Sequence, residues 1–138
     1  MSAADEAWRL LSRLMFSQRR RFLAAAAQLD LHPAQAGALL QMEPDTPVPM
    51  HELATMLHCD NSNVTGIVDR LEARGLVARR PHERDRRVKH VVLTALGVAA
   101  SEQVRETMSS APDVLRDLSD DDQRALRDIL GRALGDGA

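Results

Sequence analysis

A stripe of apolar side chains in the middle of the chain constrains its fold more than any other feature. Its members stand at the i, i+3, i+4 and i+7 positions that share one face of an α-helix: Val64, Ile67, Val68 and Leu71. Asp60 or Asn61 suits the N-cap in front of the stripe, and Gly75 suits the left-handed residue just past its end. A shorter apolar pattern precedes the cap, at Leu53, Ala54 and Leu57. The stretch therefore predicts two helices joined by a polar turn.

The other faces of the second helix carry short polar side chains. With the apolar stripe buried, the candidates for contact with a ligand are Asn61, Ser62, Asn63, Thr65, Gly66 and Arg70. Most of them crowd the N-terminal end, where the recognition helix of a helix-turn-helix meets base edges in the major groove. Asparagine offers adenine a donor and an acceptor together, and threonine can bond a base or touch a thymine methyl group. The alternative is that these are only cap and surface residues.

Two β-prone runs, residues 76–80 and 88–93, follow the second helix and flank a polar loop at residues 81–86. This pattern predicts a β-hairpin with a wide loop. Between residues 79 and 90 the hairpin carries six Arg or Lys side chains against two acidic ones, a local net charge of +4. Charge runs are usually solvated faces, but a basic hairpin directly after a helix-turn-helix is typical of a DNA-binding wing. The candidate wing residues are Arg79, Arg80, Arg84, Asp85, Arg86, Arg87 and Lys89.

Specific motifs run through this region and just beyond it. They are V-T-G-I-V-D-R-L-E-A-R-G-L-V at residues 64–77, D-R-R at 85–87, L-T-A-L-G at 93–97 and, more weakly, L-H-P-A-Q-A-G-A-L-L at 31–40. With them the chain resembles the MarR family of bacterial transcriptional regulators over most of its length. The resemblance implies a mainly α fold with a small β-hairpin wing. A winged helix-turn-helix lobe is expected at residues 30–96, and dimerisation helices are expected at 4–29 and 97–135, all within one domain.

The resemblance also implies how the parts are used. The family forms homodimers whose recognition helices enter successive major grooves of double-stranded DNA, and the arginine of the wing motif enters the minor groove. Arg87 takes that place here, with Asp85 expected to orient the wing arginines. Many family members carry arginines near the start of the recognition helix, where this chain has Asn61 and Gly66. The base contacts are therefore assigned to Asn61, Asn63 and Thr65.

Length and composition fit this picture. A chain of 138 residues suits one domain with an ordinary core, and 44% hydrophobic residues exclude wholesale disorder. A net charge of −2 does not by itself suggest a nucleic-acid partner, but the positive cluster in the hairpin does, because the distribution of charge governs such binding. The sequence has no signal peptide and no apolar run long enough to span a bilayer, so we expect a cytoplasmic protein without membrane contact.

The N-terminal stretch, residues 4–29, is predicted to be one helix roughly 40 Å long. Its apolar residues recur at near-helical spacing and no Gly or Pro intervenes: Trp8, Leu11, Leu14, Met15, Phe22 and Leu29. A helix that long exceeds what a small lobe needs, so its far end is expected to pack on a partner subunit. After it, His32 and Pro33 predict a helix start, and a short edge strand is expected around Val48 and Met50.

The C-terminal part is predicted to be helical at residues 95–111 and, after an interruption at Pro112, from Ser119 onward. Ser119 can cap this last helix and Asp122 can close a capping box with it. We predict that the apolar stripe of that helix is a dimer interface, because few elements of the chain remain to cover it. The stripe runs up to Gly135 and consists of Leu126, Ile129, Leu130, Ala133 and Leu134.

Other chemistry finds little support. Cys59, the single cysteine, is expected to be a buried small hydrophobe, although its place before a helix suggests a redox sensor as the alternative. His51, His58, Cys59 and Asp60 do not have the spacing of a closed zinc site. The sequence contains no paired nucleophile and base and no phosphate or dinucleotide fingerprint. We therefore expect that the protein is not an enzyme and that it binds neither a cofactor nor a metal ion.

The leading hypothesis is a homodimeric transcription factor, more often a repressor in this family, that binds an inverted repeat. The resemblance further implies release by a small organic effector, and the candidate pocket residues are Trp8, Met15, Phe16, Phe22 and His32. The alternative hypothesis is a winged-helix module that binds another protein and not DNA.

Overall fold

The computed structural model describes residues 1–136, which form eight helices and three strands. In chain order they are α1 (Ala3–Ser17), α2 (Arg19–Gln28), α3 (Pro33–Gln41), β1 (Val48–Pro49), α4 (Met50–Met56), α5 (Asn61–Ala73), β2 (Val77–Pro81), β3 (Lys89–Leu93), α6 (Ala95–Ser109), α7 (Asp113–Arg116) and α8 (Asp120–Leu134). The chain separates into two compact units, Met1–Met108 and a second that begins at Ser109. The first unit contains the helix-turn-helix and the hairpin that the sequence predicts.

The core of the first unit is built by α3, α4, α5 and the sheet, with contributions from α2 and α6. Its largest fully buried side chains are Leu39, Met42, Leu53, Leu71, Val64, Val68, Val77, Val91 and Val104. Three of the four residues of the central stripe are among them, and the fourth, Ile67, is half-buried against the same core. The prediction that this stripe is the inward face of α5 is confirmed.

The sheet has three antiparallel strands in the order β1-β3-β2. β2 and β3 form the predicted hairpin, with Val77 opposite Leu93 and Pro81 opposite Lys89. β1 adds an edge through Val48, which lies opposite Val91. The edge strand predicted around Val48 and Met50 is thus present, but Met50 already begins α4.

The prediction of one helix over residues 4–29 is wrong, because the helix is interrupted at Gln18. The Ser17 hydroxyl donates to the Leu14 carbonyl over 2.6 Å. The Gln18 N–H is shared among the carbonyls of Leu14, Met15 and Phe16 instead of serving one of them. A serine that bonds back to its own helix disturbs the regular ladder, and helices bend at such places. α2 therefore starts afresh at Arg19.

The base of the hairpin is joined tightly to the start of α6. The Thr94 N–H donates to the Leu76 carbonyl over 3.1 Å, and the Thr94 hydroxyl accepts from the N–H of Gly97 over 3.1 Å. A Cβ atom on Gly97 would lie 1.9 Å from the Leu76 carbonyl oxygen, closer than any side chain can approach. Only glycine permits this contact between α6 and Leu76, the residue that precedes β2. α6 itself ends at Ser109, two residues before the predicted end.

The second unit contains α7, which the sequence did not predict, and α8. Ser119 caps α8 as predicted by accepting from the Asp122 N–H over 3.1 Å, which is one half of the predicted capping box. Gly135 takes the left-handed conformation at the end, with φ of 79°. The half-buried Leu126 and Leu130 line a groove of about 260 Å³ together with Leu115 and Leu118. Within residues 1–136, none of the helices is both long and apolar enough to cross a membrane.

Candidate nucleic-acid interface

The first turn of α5 is organised by Asp60, which is its N-cap. One oxygen of the Asp60 carboxylate accepts from the Asn63 N–H over 2.8 Å and from the Ser62 hydroxyl over 2.8 Å. The bond from the Asn63 N–H contributes most to lowering the pKa of Asp60 below its ordinary value. Asp60 therefore stays a carboxylate at neutral pH. It fixes the turn that carries the predicted base-contact residues.

Some of the predicted recognition residues use their side chains in hydrogen bonds within the fold, whereas others do not. The Thr65 hydroxyl donates to the Asn61 carbonyl over 2.8 Å, and the Ser62 hydroxyl is held by Asp60. The side-chain amides of Asn61 and Asn63 are exposed and make no hydrogen bond to any residue the structure describes. Gly66 adds no side chain, and the space where a Cβ would project is open. The N-terminal end of α5 thus exposes two amides with unused donors and acceptors.

The hairpin loop holds Arg87 through Asp85. One Asp85 oxygen accepts from the Arg87 N–H over 3.0 Å and from the Arg87 Nε over 3.2 Å. The Arg87 side chain bond is the main cause that lowers the pKa of Asp85, followed by the backbone bond and by the nearby His82. The carboxylate therefore keeps its charge, and its hold on Arg87, until the pH falls through that lowered pKa. The Arg87 side chain remains 92% exposed.

Arg79, grouped with the wing contacts on sequence position, faces α5 instead. Its guanidinium donates to Asp69 and, over 2.8 Å, to Glu72, both on α5. The bond to Asp69 comes first among the causes that raise the pKa of Arg79. The side chain is only 24% exposed. Arg79 therefore fixes the hairpin to α5, and its positive charge is neutralised by these two carboxylates.

The remaining wing cations are open. Arg80, Arg84, Arg86 and Lys89 are exposed, and in the part of the chain that the structure describes their side chains form no ion pair. Arg70, on the last turns of α5, is also exposed and without an ion pair there. The structure thus keeps the cationic surface that the sequence predicts, less Arg79.

The five candidate effector residues are not gathered into one pocket of the single chain as far as residue 136. Trp8, Met15 and Phe16 lie exposed on α1, and Phe22 is half-buried against the lobe core. His32 is the N-cap of α3, where its Nδ1 accepts from the Ala34 N–H over 3.2 Å. Cys59 lies half-buried at the edge of the core, so its environment is that of a packing residue.

Sequence reasoning missed His82, which the structure places at the start of the wing loop. Its Nδ1 accepts from the backbone N–H of Arg84 over 3.1 Å and of Asp85 over 3.3 Å. A side-chain acceptor two residues before the amide it binds is a common way to form a turn. The position of His82 directly after Pro81 could have indicated this role.

A helix-turn-helix whose second helix is fixed to a cationic hairpin defines a winged helix-turn-helix protein. The model of the MarR family matches residues 31–89. The HTH-type transcriptional regulator YcgE of Bacillus subtilis is 31% identical over 111 residues, which cover 80% of this chain and 72% of YcgE. The chain belongs to the MarR family of transcriptional regulators, which are not enzymes.

Two further relatives agree with this assignment. The HTH-type transcriptional regulator PecS of Dickeya dadantii is 35% identical over 82 residues, which cover 59% of this chain and about half, 49%, of PecS. The crystal structure of the transcriptional regulator Tm0710 from Thermotoga maritima superimposes with a TM-score of 0.82 at 28% identity, covering 95% of this chain and 93% of that one.

Proposed function

We propose that this chain is a homodimeric, sequence-specific DNA-binding repressor that acts on a palindromic operator. One observation carries the proposal. The first turn of α5 exposes the free amides of Asn61 and Asn63, and the wing fixed to the same helix exposes Arg87 on a carboxylate that orients it. A surface built only for solubility needs neither free amides nor an oriented arginine.

In the proposed complex, the start of α5 enters the major groove. Asn61 and Asn63 offer the paired donor and acceptor that match adenine. Because the Thr65 hydroxyl donates its proton to the Asn61 carbonyl, it is left to DNA only as an acceptor, and the neighbouring methyl group suits a thymine methyl. The expected preference is therefore for A·T pairs under the recognition helix.

The wing supplies the remaining contacts. Arg87 enters the minor groove, where narrow A·T-rich segments have an enhanced negative potential. Arg80, Arg84, Arg86 and Lys89 neutralise phosphates along the flank, whereas Arg79 does not take part because its charge is used within the fold.

The dimer follows from faces that their own unit leaves open. α1 and α8 contain no buried residue, although both carry apolar stripes. A second copy that covers them by two-fold symmetry places two recognition helices about one helical turn apart on DNA, which accounts for a palindromic site. A small organic effector that binds beside α1 and shifts it releases the operator, and Trp8, Met15, Phe16 and Phe22 are the proposed contacts.

The first test is selection of bound duplexes from a random pool, together with the mass of the protein in solution. A palindromic consensus with A·T pairs in each half-site and twice the chain mass are the expected results. If no duplex is enriched, the protein-binding winged-helix module becomes the better account.

The second test uses Arg87→Ala, with Arg86→Ala as the matched control, on operators with A·T-rich and G·C-rich flanks. Both variants lose one cation, so the slope of log K against log salt becomes shallower by about one unit in each. Only Arg87→Ala is expected to lose the preference for A·T-rich flanks. Equal behaviour of Arg87→Ala and the wild type would remove the wing from the interface.

A further inference from the structure

The wing loop, residues 82–88, is held by two side chains acting in succession. The His82 N–H donates to the Val88 carbonyl over 2.9 Å and closes the loop. The His82 ring then accepts the N–H groups of Arg84 and Asp85, and the Asp85 carboxylate accepts the N–H and Nε of Arg87. The orientation of Arg87 therefore depends on Asp85, whose backbone is in turn positioned by His82.

The chemistry of these bonds fixes the state of the ring. Both partners of Nδ1 are backbone N–H groups, which can only donate. Nδ1 must therefore carry a lone pair, and the ring proton belongs on Nε2. A second proton on Nδ1 would turn the acceptor into a donor that faces two donors, and both bonds would be lost.

The groups around the ring are mixed in charge. From the loop itself come Glu83, Arg84 and Asp85, and Asp85 interacts electrostatically with His82. From the strands come Arg80 and His90, and the two histidine rings lie 4.7 Å apart at a tilt of 59°. Pro47, ahead of β1, adds no charge.

We propose that His82 is the positioning residue of the wing: its neutral imidazole builds the turn that sets Asp85, and through Asp85 it aims Arg87 at DNA. The effect on DNA rests on the proposed function, whereas the effect on the loop does not. The proposal differs from general electrostatics, because the neutral imidazole neutralises no phosphate. Its removal is expected to release Arg87 and with it the preference for A·T-rich flanks, without the loss of a cation.

The test compares His82→Ala, His82→Asn and His90→Ala in the full-length protein. Asparagine places its Oδ1 where histidine places Nδ1, one bond beyond Cγ, and it does not titrate. In the free protein, amide hydrogen exchange at Arg84 and Asp85 is expected to accelerate in His82→Ala and to stay near wild type in His82→Asn and His90→Ala. Unchanged exchange in His82→Ala would overturn the proposal, whatever the protein binds.

The second arm measures operators selected as described above. His82→Ala is expected to lose about tenfold in affinity, the scale of one charge-assisted contact, and to lose flank preference as Arg87→Ala does. His82→Asn is expected to retain both. Equal flank preference in His82→Ala and the wild type would overturn the assignment, and failure of the wild type to select any duplex would instead refute the DNA-binding proposal.

Discussion

The helices α5 and α8 share the same sequence pattern but differ in whether their apolar stripe is buried in the structure. Each begins at an acidic or hydroxyl cap, carries an apolar stripe at helical spacing and ends near a left-handed glycine. α5 buries Val64, Val68 and Leu71 within its own lobe, whereas α8 buries none of its residues. Ile129 is 54% exposed and Leu134 is 74% exposed.

The difference teaches what periodicity can report. An amphipathic stripe indicates that a face is covered, but it does not say whether the same chain or another one covers it. α1 repeats the pattern of α8, because Trp8 is 63% exposed and Phe16 is 76% exposed. Exposed apolar side chains in such numbers mark an interaction surface on an otherwise well-packed protein.

The largest effect, on dimerisation, is expected from replacing two exposed residues of the α8 stripe together, in the double variant Ile129→Asp and Leu134→Asp. Each fully buried side chain of this size contributes about 1.5 to 3 kcal/mol, and a two-fold interface counts each of them twice. We expect a monomer in analytical ultracentrifugation at concentrations where the wild type is dimeric. Operator affinity is expected to fall with it.

Arg124→Asp is the control for that double variant, because it changes the net charge by the same two units on the opposite side of α8. It should remain dimeric. A double variant that sediments like the wild type would mean that the exposed stripe is not the interface.

The next effect is expected inside the lobe, from Leu71→Ala on the covered stripe of α5. Leu71 is fully buried, so its truncation should lower the free energy of unfolding by about 2 to 5 kcal/mol. Urea denaturation measures the loss, and Ile129→Ala, exposed in the single chain, is the counterpart. Measured at a protein concentration low enough for the dimer to dissociate, Ile129→Ala should change stability by about 0.5 kcal/mol or less. Equal losses at the two sites would abolish the distinction between the stripes.

The smallest effect concerns the turn between α4 and α5. His58 adopts the left-handed conformation with φ of 53° and is exposed. Such a conformation costs a residue with a side chain about 1 to 2 kcal/mol. Glycine avoids this strain, but it offsets part of the gain because it loses more conformational entropy on folding. His58→Gly should therefore stabilise the lobe by up to about 1 kcal/mol in thermal unfolding, whereas Thr55→Gly inside α4 should destabilise it. Loss of stability in His58→Gly would show that the imidazole makes a contact worth more than the strain.

The sequence predicted those features that depend on local pattern. The bounds of α5, the Gly75 turn, the hairpin and the Ser119 cap follow from short-range rules, and they are present. The break at Gln18 was missed because neither Gly nor Pro marks it, although the Ser17 hydroxyl bonds back to the Leu14 carbonyl just before it. The charge run could not reveal that Arg79 alone turns inward, since that depends on the register between β2 and the carboxylates of α5.

The glycine at the start of α6 has a mechanical consequence. Gly97 lies against the Leu76 carbonyl, and Thr94 is hydrogen-bonded on both sides of the junction. Close-packed contacts of this kind transmit strain. We therefore expect a displacement of the first turn of α6 to be passed on to the start of β2, and through β2 to the wing.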